Sequence, residues 1–150
     1  VATATARAAG SGRARSAPKL IAGLVPEATG SMSDEMAVAL SERRALMEER
    51  ADAVLDRDVA DGVRWVGELG TAPTEPRNAA LWRRSARVVA AYRDRYQIAT
   101  DTVLGAPPET TTQKIDRARA EAALRAIEKL SRPRRTEAPV RGTEARGLRL

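Results

Sequence analysis

The sequence predicts an all-α fold: a small bundle of three main helices carried between two disordered basic arms. Three observations lead there. Apolar residues recur at helical spacing in three long segments, and no stretch alternates apolar and polar at the period of a strand. Helix-capping and helix-breaking residues stand at the ends of those segments. Both termini combine small residues with Arg and hold too little apolar surface to fold.

Residues 1–18, "VATATARAAGSGRARSAP", form the first arm. The helical domain is expected over 19–130. It begins with "KLIAGLVPEATG", a short apolar cluster stopped by Pro26 and Gly30, which reads as one helical turn or a packed extended segment.

The first long helix is expected over about 33–61. Ser33 is its N-cap, and Asp34 and Glu35 suit the positive end of the helix dipole. Met36, Leu40, Met47, Ala51 and Val54 fall on one stripe, and Arg43 and Asp58 interrupt it. A cation in an apolar stripe has to snorkel or find a partner, so a carboxylate is expected beside Arg43. Gly62 is a natural stop. "VRWVGELG" then offers Trp65, Val66 and Leu69 on a short helical piece ended by Gly70.

"TAPTEP" is a turn, with Thr74 available as the next cap. The second long helix is expected over about 75–96. At 100° per residue, Trp82, Ala86, Val89, Tyr92 and Tyr96 share one side, with Leu81 and Val88 on its flank. Arg77, Arg83, Arg84, Arg87 and Arg95 take the opposite side. Arg93 sits at the edge of the apolar side and is expected to pair with a carboxylate at the seam between the first two long helices. Those helices are expected to pack antiparallel through the Met/Leu stripe and the Trp82–Tyr96 side. After a loop marked by Gly105 and Pro107-Pro108, a third helix is expected over about 112–130, with Ile115, Ala122, Ala123, Ile127 and Leu130 as its apolar set. Residues 131–150 form the basic tail.

The chain carries 26 Lys+Arg and 20 Asp+Glu, and the excess sits at the ends. Residues 1–19 hold Arg7, Arg13, Arg15 and Lys19 and no acid, a net +4. Residues 131–150 hold six Arg against Glu137 and Glu144, also +4, while 20–130 hold 16 basic and 18 acidic residues, a net −2. Only three of the cations are Lys, and with the abundant Ala, Gly, Pro and Val this suggests a GC-rich genome. A chain opening on Val1 reads as a fragment or as a start at a non-standard codon.

Chemistry is sparse. With no Cys and no His, thiolate zinc sites and Ser–His or Cys–His nucleophile systems are excluded, and the composition fits a cytoplasmic protein. No phosphate loop of the G-x-x-x-x-G-K-[ST] form occurs. No apolar run approaches the roughly 18 residues of a membrane span. Asp52, Asp56, Asp58 and Asp61 make an acidic patch that reads as a solvated helix face rather than a metal site. No catalytic residue, metal or cofactor is expected.

The candidate contact surface is Arg83, Arg84 and Arg87, with Arg77 and Arg95. Like charges at i,i+3 and i,i+4 oppose helix formation by a few tenths of a kcal/mol, and such a cluster can dock phosphates or a carboxylate-rich partner. Trp82, Tyr92 and Tyr96 lie on the wrong side to stack on bases beside those cations, so they are assigned to the core.

Four stretches carry a resemblance. "GLVPEATGSMSDEMAVALSERRALMEERADAVLDRDVADGVRWVGELG", "WRRSARVVAAYRDRYQI", "LGAPPE" and "RARAEAAL" resemble the C-terminal region of large conjugative relaxase–helicases of the TrwC type from high-GC Gram-positive bacteria. The resemblance spans about 18–130 and is most specific at Ala91-Tyr92-Arg93-Asp94-Arg95-Tyr96 with Trp82 and Arg83 upstream. It implies a non-catalytic module. In that family the DNA nick is made by an N-terminal domain with a catalytic Tyr and a His triad, and a helicase domain carries the phosphate loops. This chain has neither, so Tyr92 and Tyr96 are not nicking tyrosines. The implied role is an accessory module or remnant of a relaxase, contacting DNA or a protein of the transfer machinery. The alternative is a protein–protein interaction domain with no nucleic-acid role.

Overall fold

The computed structural model describes residues 19–132. The expected arms, 1–18 and the tail beyond Arg132, fall outside the described residues. The fold is mostly helical, in the order β1 (Leu20–Ile21), β2 (Val25–Pro26), α1 (Asp34–Asp61), α2 (Arg64–Glu68), α3 (Pro76–Arg95) and α4 (Thr111–Ser131).

The apolar cluster at the start is neither helix nor simple extended chain. It is a small antiparallel hairpin pairing Leu20 with Pro26 and Ile21 with Val25. Its turn places Ala22 at φ 50° and Gly23 at φ 73°, and Leu24 N–H closes it onto Ile21 C=O at 3.0 Å. Gly23 serves a second purpose: a Cβ there would lie 2.4 Å from Val88 Cγ2, so the hairpin tip seats directly on α3. Leu24 is buried, and its carbonyl accepts from the Arg119 guanidinium on α4.

α1 starts where its cap predicts. Ser33 Oγ accepts from Met36 N–H at 3.2 Å, and Asp34 and Glu35 fill the first turn. It ends at Gly62, in the left-handed region at φ 62°, whose N–H returns to Asp58 and Val59 carbonyls. Only its second half enters the bundle, through Ala51, Val54 and Leu55. Met36 at the other end is 53 % exposed, and Leu40 and Met47 are half-buried beside the hairpin. Of the expected stripe, Ala51 and Val54 are buried as predicted and Leu55 joins them, whereas Met36, Leu40 and Met47 are not, because the hairpin occupies part of the space next to the first half of α1.

α3 is capped by Glu75, not Thr74: the Glu75 carboxylate accepts from Arg77 and Asn78 N–H at 3.0 and 2.8 Å, with Pro76 opening the helix. Trp82, Ala86, Val89 and Tyr92 are buried on the side predicted for them, Ala90 is buried as well, Tyr96 is half-buried, and α3 is the central helix between α1 and α4. α4 is capped by Thr110, whose Oγ1 accepts from Gln113 N–H at 3.1 Å. Its buried stripe is Asp116, Ala120, Ala123 and Ile127. Ile115 and Ala122, assigned to the core from hydrophobicity, are exposed. The stripe begins at a carboxylate, so a count of apolar residues misplaces it by a fraction of a turn. α4 runs antiparallel to α3, as shown by Tyr96 meeting Asp116 at one end and Gly70 approaching Ser131 at the other. One continuous core joins Leu24, Leu55, Trp65, Trp82, Val89, Tyr92, Leu104 and Ile127.

Candidate functional site: the arginine edge of α3

The five candidate arginines divide into two groups. Arg83 and Arg87 face α1. Arg83 donates to Asp56 Oδ1 at 2.8 Å and to Asp52 Oδ1 at 3.3 Å. Arg87 donates to the carbonyl of Glu48 at 3.0 Å and to its carboxylate, and its Nε lies 3.0 Å from Asp52 Oδ1. Both helices repeat their charges every four residues, so antiparallel packing sets 48, 52 and 56 against 87 and 83. Of the acidic patch of α1, Asp52 and Asp56 pair with the basic edge of α3 while staying partly exposed, Asp58 meets Arg57 and Trp65, and Asp61 is exposed. The seam continues at Arg50, which grips Asp94 with two hydrogen bonds of 2.6 and 2.8 Å. Arg50 in turn holds Asp94 below the usual carboxylate range.

Glu48 is the hinge of this seam. Burial pushes its carboxyl up, but the Ala22 N–H at 2.9 Å and the Arg87 guanidinium outweigh that, and the net displacement is downward. The same side chain thereby ties α1 to both α3 and the hairpin tip.

Arg95 turns toward α4, with Nη1 3.2 Å from Asp116 Oδ2. Asp116 is 2 % exposed and also accepts from Tyr96 Oη at 2.5 Å, with Arg119 at 3.6 Å. Burial, then the Asp116 hydrogen bond and charge, push the Tyr96 hydroxyl up to about 12. This cluster closes the α3–α4 junction, and Tyr96 acts as a donor to a buried carboxylate. Arg77 and Arg84 are the remaining two. Both are exposed and neither forms an ion pair among the described residues.

The two arginines expected to meet carboxylates do otherwise. Arg43 is exposed and has no ion pair among the described residues; it lines a shallow groove with Ile21, Val25, Met32, Leu40 and Met47. Its long side chain can reach water from the rim, which removes the need for a partner. Arg93 is 7 % exposed, yet its hydrogen-bond partners are four backbone carbonyls. It donates to Thr102 and Val103 at 2.7 and 2.9 Å and to Ile98 and Thr100 at 3.2 and 2.8 Å. Its guanidinium carbon lies 5.2 Å from the centre of the Trp65 ring, and Trp65 Nε1 donates to Asp58 at 3.0 Å. Burial lowers the Arg93 pKa, opposed by the charges of Asp58 and Asp101. Arg93 is thus the organiser of the loop between α3 and α4, binding four of its backbone carbonyls from one side chain.

Around Arg84 lies a cleft of about 580 Å³ between the hairpin, α1 and α3. Its charged lining comprises Lys19, Arg44, Arg84, Arg87, Glu27 and Glu48. Lys19, Arg44 and Glu48 belong to it by tertiary contact, so reading α3 alone could not find them. Among the described residues no cluster of three or more acidic side chains is placed to hold a metal ion, and no helix is long and apolar enough to cross a membrane. Against known families, curated proteins and solved structures alike, the chain has no match.

Proposed function

We propose that the chain is a non-enzymatic accessory module of a conjugative DNA-processing protein, acting in the cytoplasm and meeting DNA by phosphate contacts. The observation that supports this best is where the basic charge is left over. Arg83, Arg87, Arg50 and Arg95 are each neutralised by carboxylates of the fold. The net positive charge lies at the two ends of the chain, +4 in residues 1–19 and +4 in 131–150, with Arg77 and Arg84 as exposed additions. Charge distributed in this way suits a salt-sensitive, sequence-tolerant grip on a phosphate backbone. The buried ionisable groups, Asp116 and Arg93, hold elements together, which accords with a non-catalytic role.

The test is fluorescence anisotropy of the full chain with a labelled oligonucleotide between roughly 50 and 200 mM salt. The reading requires affinity that falls steeply across that range. Absence of binding at the low-salt end would refute it.

A second reading, docking of a protein from the transfer machinery, is favoured by the first half of α1. Met32, just before α1, is exposed and lines the groove that holds Arg43, and Met36 in the first turn of α1 is exposed as well. An amphipathic helix carrying a carboxylate opposite Arg43 fits that chemistry. Met36→Asp would abolish capture of such a partner while leaving the bundle intact.

A further inference from the structure

We propose that the cleft between the hairpin tip, α1 and α3 is a phosphate-binding site with Lys19 and Arg84 as its binding cations. It rests on the phosphate-contact reading above and goes further by giving that contact a defined place.

Three elements deliver four cations to this cleft: Lys19 at the base of the hairpin, Arg44 on α1, and Arg84 and Arg87 on α3. Two carboxylates neutralise two of them. Arg44 donates to Glu27 at 2.7 Å, and Arg87 is bonded to Glu48. Lys19 and Arg84 have no carboxylate partner among the described residues, so the lining carries a net charge of +2. Concave walls focus such a charge more than a flat surface does.

The scaffold under the two cations is rigidly tied. Glu48 is held by the Ala22 N–H and by Arg87, and Gly23 lies too close to Val88 to admit a Cβ. The cleft walls are therefore set before a ligand arrives, which lowers the entropy lost on binding. A guanidinium fork can take two oxygens of one anion, and an ammonium can act as a point charge on a third. A phosphate carries more negative charge and more acceptor oxygens than a carboxylate, which suits a site with two cations left unneutralised.

The phosphate has two possible sources, a nucleic-acid backbone or a free polyphosphate, and the experiment separates them. Inorganic pyrophosphate is titrated into the full chain and followed by backbone amide shifts. The proposal requires saturable shifts at residues 20–23 and 84–88, and affinity at least about tenfold weaker in Lys19→Gln/Arg84→Gln. The double variant Arg125→Gln/Lys129→Gln removes equal charge from exposed positions on α4 and should bind as the wild type does. An oligonucleotide that displaces pyrophosphate assigns the site to a nucleic-acid backbone; one that binds without displacing it assigns the site to free polyphosphate. Equal loss in both double variants, or shifts confined to residues outside the cleft, would overturn the proposal. If the oligonucleotide still binds in a salt-sensitive way in that case, the broader DNA-contact reading survives the failure of this site. A titration in which an acetate-capped acidic peptide, but not pyrophosphate, gives the saturable shifts would also overturn it.

Discussion

The guanidinium of Arg93 lies over the Trp65 ring at 5.2 Å while its nitrogens reach four carbonyls of the loop that follows α3. One side chain thus joins α2, α3 and the loop into α4. Lysine can supply the charge but not the planar fork or the stacking surface. Arg93→Lys is expected to lower stability by about 2–3 kcal/mol, since an ammonium cannot replace all four hydrogen bonds of the buried guanidinium. Chemical denaturation measures this, and hydrogen exchange should show the protection of residues 98–104 falling first. An unchanged midpoint would mean the loop holds itself.

Gly23 is expected to be intolerant of a side chain for two separable reasons. Its φ of 73° is unfavourable for other residues, and an added Cβ would meet Val88 Cγ2 at 2.4 Å. Gly23→Ala should destabilise by about 1–3 kcal/mol through overpacking alone. Adding Val88→Ala removes the clash but not the backbone strain, so rescue should be partial. A double-mutant cycle on thermal melts checks this; strictly additive losses would show that the hairpin tip does not rest on α3.

The pH dependence follows from two depressed carboxyls and one raised phenol. Glu48 and Asp94 lie below their ordinary values of 4.5 and 3.8, so the stability they contribute is present above those values and is lost as pH falls through their folded pKa. Glu48→Gln should flatten the acid limb of a stability–pH curve. Tyr96 moves the other way, from 10.0 to about 12, so its contribution is intact below 10 and lost as pH rises toward 12. Tyrosinate absorbance at alkaline pH should show a late-titrating group that disappears in Tyr96→Phe. A titration in which neither tyrosine is delayed would contradict the Tyr96–Asp116 bond.

The helices were legible because their signals are local. Ser33, Gly62 and Pro76 sit at helix ends and act through the nearest backbone groups, and the Trp82–Tyr92 side follows from spacing alone. The hairpin was not legible, since two-residue strands show no alternation and Ala22-Gly23 is not a strong turn signature. Arg93 stands out in the sequence as a cation at the edge of an apolar side, but its partners are backbone carbonyls, which every residue has and no sequence marks. The α1–α3 seam was within reach: Asp52 and Asp56 repeat at the same spacing as Arg83 and Arg87, and opposite stripes of equal period on antiparallel helices match. Each stripe taken alone suggests one solvated face and one binding face, whereas Asp52 and Asp56 meet Arg83 and Arg87 across a partly exposed seam. The cleft around Arg84 depends on three elements meeting and has no sequence signature at all.

Arg83 is tied into the fold by Asp52 and Asp56, whereas Arg84, one residue on, is the cation proposed to meet the ligand. The most direct test measures oligonucleotide affinity against salt for Arg83→Gln and Arg84→Gln, with thermal melting of each. Arg84→Gln should reduce the magnitude of the log–log salt slope by about one and leave the melting temperature unchanged. Arg83→Gln should leave the slope unchanged and lower stability by about 0.5–1 kcal/mol, the scale of an exposed ion-pair network. The reverse pattern, with Arg83 changing the slope and Arg84 the melting temperature, would contradict the account.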